Sequence, residues 1–163
     1  MARHFYALLI CVPLLLSVGC SKDKQPVNHV EDAAAPPSST QVASASNLCA
    51  IGDACLMYAS EYDDKYPPNL EELVKEARLS PEELESPRKP KNFNGPSYIY
   101  IAKQTTSMEP ANIIAYENPE FCDGKINVLF LDLRVAVMNP QDFLSNLEAT
   151  YERLGKRMPE IKF

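Results

Sequence analysis

Apolar residues recur at helical spacing between Asn47 and Pro68, and this stretch is the first regular element that the chain predicts. After Leu48, apolar side chains follow at offsets of 3, 7, 10 and 14 residues, the one-face spacing of an amphipathic helix. These positions are Leu48, Ile51, Cys55, Tyr58 and Tyr62. Gly52 lies inside this helix at a cost of about 1 kcal/mol relative to alanine. It is either tolerated at that cost or marks the close approach of a strand backbone.

Downstream patterns predict two short helices, four strands and a last helix. The short helices begin at the capping residues Asn69 and Ser80, each followed three residues later by glutamate. Runs rich in β-branched and aromatic residues predict the strands Ser97 to Lys103, Asn112 to Glu117, Lys125 to Asp132 and Leu133 to Met138. Short connections make these strands antiparallel. The last helix begins at Asn139 and Pro140 and can end at Gly155, which leaves a polar, frayed tail.

Three blocks of this pattern resemble pseudopilin-like proteins of the type II secretion protein G-like group. The first is N-L-x-x-I-G-x-A followed by Y-A, Y-P-P and L-x-x-L, found between Asn47 and Leu73; the others are A-Y-E-x-P from Ala115 and N-V-L-F-x-D from Asn127. The resemblance implies an α+β, pilin-like fold, in which an N-terminal helix packs on a small antiparallel sheet followed by a C-terminal helix. One departure is Leu133-Arg134, where the family has Gly-His after the aspartate.

The N-terminus differs from that family, because it resembles a lipoprotein export signal. Residues 1–19 contain a twelve-residue apolar run from Phe5 to Leu16, too short to span a bilayer as a mature helix. The sequence ending at Cys20 resembles a bacterial lipobox, which implies cleavage before Cys20 and attachment of lipid to it. The alternative is an ordinary cleaved signal. Ser21 follows Cys20, and by the same resemblance this favours the periplasmic side of the outer membrane.

The signal also bears on assembly and on domain organisation. A pseudopilin keeps its apolar helix and carries a glutamate near its start; residues 1–19 contain none, which argues against incorporation into a filament. Residues 20–46 then form the lipidated cysteine and a flexible linker rich in alanine, proline and serine. Residues 47–163 are long enough for one globular domain and too short for two.

Charge argues against a nucleic-acid partner. Removal of residues 1–19 takes away Arg3 and leaves 15 basic and 22 acidic residues, a net charge of −7. An acidic chain without a basic stripe suits neither nucleic acid nor anionic lipid headgroups. We therefore expect the membrane, reached through the lipid on Cys20, and an envelope protein as the partners.

Catalytic and metal-binding chemistry is sparse. The two histidines, His4 and His29, lie outside the predicted domain, which excludes histidine-based nucleophile systems and metal sites within it. Asp132 is expected to be a turn residue between two strands. A cluster of six glutamates is expected to be the solvated face of two short helices, and these are Glu71, Glu72, Glu76, Glu82, Glu83 and Glu85. A calcium site combining Asp63 and Asp64 with Asp123 is a minor alternative. We predict no catalytic residues, metal or cofactor.

Three cysteines remain after lipidation, and an exported domain favours disulfides. Cys49 and Cys55 lie six residues apart on one helix, about 9 Å along its axis, which is beyond disulfide reach. The open alternatives are therefore Cys49–Cys122, which is slightly favoured, then Cys55–Cys122, then three free thiols.

The sequence as a whole predicts a membrane-anchored, non-enzymatic interaction or structural module of the cell envelope. One alternative is an accessory component of a type II secretion-like apparatus. A weaker alternative is an envelope hydrolase that uses carboxylates, although no spacing in the chain predicts a catalytic pair.

Overall fold

A computed structural model describes residues 36–163, which form one compact unit. The helices are α1 (Ser39–Glu61), α2 (Glu71–Glu76) and α3 (Pro140–Arg153), with short 3₁₀ turns at Pro81–Leu84 and Pro119–Phe121. The strands are β1 (Tyr98–Tyr100), β2 (Ile113–Glu117), β3 (Ile126–Phe130) and β4 (Val135–Met138). They form one antiparallel sheet in the order β1-β2-β3-β4. The predicted α+β class is confirmed, and the arrangement is consistent with a pilin-like fold.

Helix α1 begins eight residues before the predicted start, at Ser39 rather than Asn47. Ser38 caps it, since the hydroxyl of Ser38 accepts a hydrogen bond from the amide of Gln41 at 3.1 Å. The linker prediction is therefore wrong for residues 39–46. The physical reason is that the buried face of this added segment carries Gln41 and Ser44, polar residues that hide the helical period of apolar positions.

Helices lie on both faces of the sheet. On one face Leu48, Ile51 and Cys55 of α1 join a core cluster with Leu129 and Leu131. On the other face a second cluster holds Phe143 and Leu147 of α3 together with Ile113, Tyr116, Val128 and Phe130. The alternation of side chains along β3 produces this division, because successive strand residues point to opposite faces. The predicted packing of the N-terminal helix on the sheet is thus confirmed, and in β3 it uses the side that carries Leu129.

Gly52 is where α1 comes closest to β3. A Cβ atom added there would lie 3.2 Å from Cδ1 of Leu129 and 3.4 Å from Cδ2 of Leu133. The close approach at Gly52 therefore involves leucine side chains of β3 and of the turn after it, rather than the strand backbone named in one of the two alternatives above. Tyr62 departs from the prediction as well: it follows the last helical residue and is 39% exposed instead of joining the core.

The turns and caps follow the sequence closely. Ser80 forms the predicted capping box with Glu83, and Asn139 caps α3 through a 2.8 Å bond from the amide of Asp142. Asp132 is a turn residue between β3 and β4, as predicted. Its carboxylate accepts a hydrogen bond from the backbone amide of Arg134 at 3.1 Å, which stabilises the turn. Leu133, at a φ of 66°, supplies the left-handed residue of that turn.

The C-terminal tail is packed, although its polar sequence predicted fraying. Met158 and Ile161 are partly buried against the cluster on the α3 face of the sheet. The ring of Phe163 lies edge-on to Phe143, with centroids 6.4 Å apart. The ammonium group of Lys156 donates to the carbonyl of Ala102 at 2.7 Å. Met158, Ile161 and Phe163 are enough to hold the tail, and their spacing, first three residues and then two, follows no single helix or strand period.

Candidate functional site

A buried carboxylate is the most highly connected polar group in residues 36–163. Glu117, at the end of β2, is fully buried and pairs with Arg88 at 2.6 Å, where the arginine side chain is only 8% exposed. The hydroxyls of Ser44 and Ser86 each donate to the other carboxylate oxygen at 2.6 Å. Asn127 contributes a fourth donor at 3.3 Å. Four donors from three parts of the chain, namely α1, the loop that holds Ser86 and Arg88, and β3, therefore satisfy both oxygens of Glu117.

This network, which we call the Glu117 cluster, ties α1 to the sheet. The amide nitrogen of Asn127 also donates to the carbonyl of Gln41 at 3.0 Å, and Tyr98 lies 3.0 Å from the hydroxyl of Ser44. Arg88 donates in addition to the carbonyl of Lys125 at 2.9 Å. These bonds hold the first turns of α1 in place, which explains why the helix extends back to Ser39.

The Glu117 cluster has the properties of a structural element rather than a catalytic one. Its carboxylate is completely enclosed, and no described cavity is lined by Glu117. A catalytic carboxylate must reach a proton of the substrate, which Glu117 cannot do while its oxygens face internal donors. The sequence offered one signal for it: an acidic residue that closes the otherwise apolar strand Ile113–Glu117.

The outer face of α1 is the second unusual surface. We define it by Val42, Cys49, Leu56 and Met57, which are exposed on the side away from the sheet. The three apolar residues of this set, Val42, Leu56 and Met57, are between 45% and 55% exposed. Asp53 is the only charged residue between Ser39 and Ser60. Surface helices ordinarily place charged residues opposite their buried stripe, so this outer face is depleted in charge.

Helix α1 is also long and apolar enough, by length and composition, to cross a membrane. Its Leu48, Ile51 and Cys55 side is, however, buried against the sheet. A helix in the core of a soluble domain passes the same test of composition, so this finding is weak support for a membrane span.

A cleft lies where α1 ends, and we call it the tyrosine cleft. Its volume is about 580 Å³, and its walls come from the end of α1, the following loop and the segment after β1. The rings of Tyr58 and Tyr62 stack with centroids 4.1 Å apart and an interplanar angle of 12°. Tyr66 lines the same cleft and is largely buried. The cleft therefore offers an aromatic wall with an accessible ring, that of Tyr62.

Charged groups at the tyrosine cleft balance one another. Glu61 and Asp63 supply two carboxylates, whereas Lys65 and Lys103 supply two ammonium groups. Lys65 and Asp63 lie 3.7 Å apart and are both largely exposed. Gln104, a further lining residue, is 1% exposed, and its side-chain oxygen has no hydrogen-bond partner within residues 36–163.

The loops around this cleft are fixed and strained. The amide of Tyr66 donates to the carbonyl of Gln104 at 3.0 Å, and the amide of Thr106 donates to the carbonyl of Asp64 at 3.0 Å. Three of the five non-glycine residues with positive φ in the described chain are here, namely Asp63, Asp64 and Lys103. Such conformations cost of order 1 kcal/mol or more each and cluster at functional sites.

The cysteines lie in three different environments, and the structure has all three as free thiols. Cys49 is exposed on α1, Cys55 is buried between α1 and the sheet, and Cys122 packs against the cluster on the opposite face. The two predicted pairs, Cys49–Cys122 and Cys55–Cys122, are therefore absent, and the structure has the third alternative, three free thiols. Burial raises the pKa of Cys55 to about 12. Burial and the nearby charge of Glu117 likewise raise the pKa of Cys122 to about 12.

The other predicted positions make no site. Cys20 lies outside the described residues, as do residues 1–19. In the described range no three side chains of the metal-binding types come together, so Asp63, Asp64 and Asp123 do not form the alternative calcium site. The glutamates of α2 and of the 3₁₀ turn that follows it are at the surface or partly exposed, as expected for a solvated face.

Comparison with known proteins gives no relative for this chain. No protein family, no curated protein and no solved structure matches it.

Proposed function

We propose that this protein is a lipid-anchored module of the cell envelope that binds another envelope protein through the outer face of α1. Lipidation at Cys20 would hold it on the periplasmic side of the outer membrane, as the lipobox-like sequence suggests. The observation that carries the proposal is the outer face of α1, which spans about four helical turns from Val42 to Met57 with a single charged residue, Asp53. Exposed apolar patches of this kind mark contact surfaces.

The energetics of this face suit a protein contact. The side chains of Val42, Leu56 and Met57 are each about half exposed. Burying that area in a contact would contribute roughly 1 kcal/mol of binding free energy per residue. The face is a straight helix surface, and an amphipathic helix or groove of a partner fits such a surface by side-chain packing. The absence of a basic stripe on α1 gives anionic lipid headgroups nothing to bind.

A non-enzymatic role is supported by the state of the carboxylates. Glu117 is the only fully buried charged residue in the described part of the chain, and its oxygens are occupied by four donors. The remaining acidic side chains there are partly or fully exposed, and the chain from residue 36 onward contains no histidine. A fully hydrogen-bonded carboxylate such as that of Glu117 is poorly suited to act as a general base, and these residues offer no histidine for a nucleophile–base pair, which favours a non-enzymatic role.

Site-specific photocrosslinking in intact cells tests the proposal. A photoreactive residue is placed at Leu56 or at Met57, and Val137 on β4, which is similarly exposed and apolar, serves as the matched control. We expect an adduct with one other envelope protein from both helix positions and no such adduct from Val137. Equal labelling from Val137, no adduct from the helix, or an adduct only with a second copy of this chain would contradict the proposal.

The identity of the captured protein separates the proposed role from its alternative. A pseudopilin or another component of a secretion apparatus in the adduct would favour the accessory role. An unrelated envelope protein would favour the general interaction module.

A further inference from the structure

We propose that the tyrosine cleft binds a neutral oligosaccharide, with a sugar ring stacked on Tyr62. This site lies at the C-terminal end of α1 and on the two loops beside it, and none of the outer-face residues Val42, Cys49, Leu56 and Met57 lines it. Oligosaccharide binding at this site can therefore be tested independently of the protein contact proposed above.

The aromatic wall is the first reason for a sugar. Tyr58 stacks on Tyr62 and fixes the plane of that ring, while Tyr62 stays 39% exposed. The face of an aromatic ring carries partial negative charge and attracts the weakly positive C–H groups of a flat apolar surface. A pyranose ring presents such a C–H surface on one side and hydroxyls around its rim.

The polar lining is the second reason. Carboxylates accept hydrogen bonds, ammonium groups donate them, and Thr105 can do both; the cleft contains two carboxylates and two lysines besides that threonine. Sugar hydroxyls are both donors and acceptors, so they can use all of these groups. Two positive and two negative charges leave no net attraction for a polyanion or a polycation, which favours a neutral ligand.

Preorganisation is the third reason. The loop residues Lys65 and Thr105 form an isolated β-bridge, and backbone bonds from Tyr66 and Thr106 hold the same two loops together. Lys103 sits beside them at a φ of 70°, a conformation that an unbranched L-residue adopts at a cost.

Isothermal titration calorimetry with full-length protein tests this inference, in a detergent without a sugar headgroup so that the detergent does not compete. The probes are cellotetraose and chitotetraose as neutral β-linked oligosaccharides, and tetragalacturonate as an anionic one. We expect at least one neutral probe to bind, and tetragalacturonate to bind more weakly. Replacement Tyr62→Ala should weaken the neutral probe by about tenfold or more, the size of one lost stacking contact. Val137→Ala, a matched apolar truncation on β4, should leave binding unchanged.

Lys103→Gly separates binding from folding. Glycine accepts a positive φ without strain, so this variant should unfold at a higher temperature than the wild type. It should nevertheless bind the neutral probe at least about threefold more weakly, because a donor is lost from the cleft. The inference is overturned if no neutral probe binds at about 10 mM, if tetragalacturonate binds more tightly, or if both Tyr62→Ala and Lys103→Gly bind as the wild type does.

Discussion

Removal of the arginine from the Glu117 cluster should destabilise the domain far more than the loss of an exposed ion pair. Arg88→Met keeps an unbranched apolar side chain at the site but takes the cation away from Glu117, which is fully buried and 2.6 Å from the guanidinium. The two serines and Asn127 would still donate to the carboxylate, so its hydrogen bonds would remain while its charge would lose its partner.

The magnitude follows from burial. Breaking a buried pair by removing one partner typically costs 3–5 kcal/mol, because an uncompensated charge is left in the interior. With a urea m-value of about 1–3 kcal/mol/M, the unfolding midpoint should fall by about 2 M. Glu117→Gln combined with Arg88→Met removes both charges at once. The double variant should recover part of the loss, with a coupling energy of about 1–3 kcal/mol.

Urea unfolding of the mature chain carrying Cys20→Ala measures these differences. The matched control is Lys75→Met, which breaks the exposed pair between Lys75 and Glu72 at 2.9 Å. That control should cost well under about 1 kcal/mol, as exposed pairs do. An Arg88→Met variant no less stable than the Lys75→Met control would refute the structural role assigned to the Glu117 cluster.

Four further predictions concern the reactivity of the thiols, their effect on stability against pH, the core and the anchor. In the native protein a maleimide should label the exposed Cys49 rapidly and the partly buried Cys122 more slowly, whereas the buried Cys55 should react only after unfolding; equal rates for Cys49 and Cys55 would contradict this order. Because burial raises the pKa of Cys55 and Cys122 from 9.0 to about 12, their contribution to stability is complete below pH 9 and is lost as the pH rises toward 12. A urea midpoint that stays constant from pH 8 to about pH 11 would contradict this expected loss of stability. Ile51→Ala should lower the free energy of unfolding by about 2–5 kcal/mol in the same urea assay. Cys20→Ala should abolish lipid labelling and release the protein from salt-washed membranes, and retention there would refute the lipoprotein prediction.

The fold could be predicted largely because its local signals agree with its tertiary packing. The apolar stripe from Leu48 to Cys55 does face the sheet, and the caps at Ser80 and Asn139 form as the sequence indicates. Strand order follows from short connections, since antiparallel neighbours need only tight turns. These elements depend on spacing along the chain, which a sequence displays directly.

The missed features depend on contacts between distant residues. Ser44 and Glu117 are 73 positions apart, yet their hydrogen bond helps to hold the start of α1 that the polar sequence concealed. The tyrosine cleft joins Tyr62 to Lys103 across two loops, and no motif marks either residue. The disulfide expectation failed for a related reason. Spacing along the helix could exclude a Cys49–Cys55 bridge. That Cys55 and Cys122 lie on opposite faces of the sheet becomes visible only in the folded structure.

The most direct test of the proposed function is the native size of the protein in solubilised envelopes, compared between wild type and Leu56→Glu on a blue-native gel. A glutamate at position 56 on the outer face of α1 lies in solvent in the isolated domain, so the free energy of unfolding should change by less than about 0.5 kcal/mol. In a contact, the same charge would be buried without a partner. We predict that the wild-type protein migrates in a complex larger than a single copy of the mature chain and that Leu56→Glu migrates as a single copy. An identical large complex for both proteins, or a wild-type protein that migrates alone, would contradict the proposal.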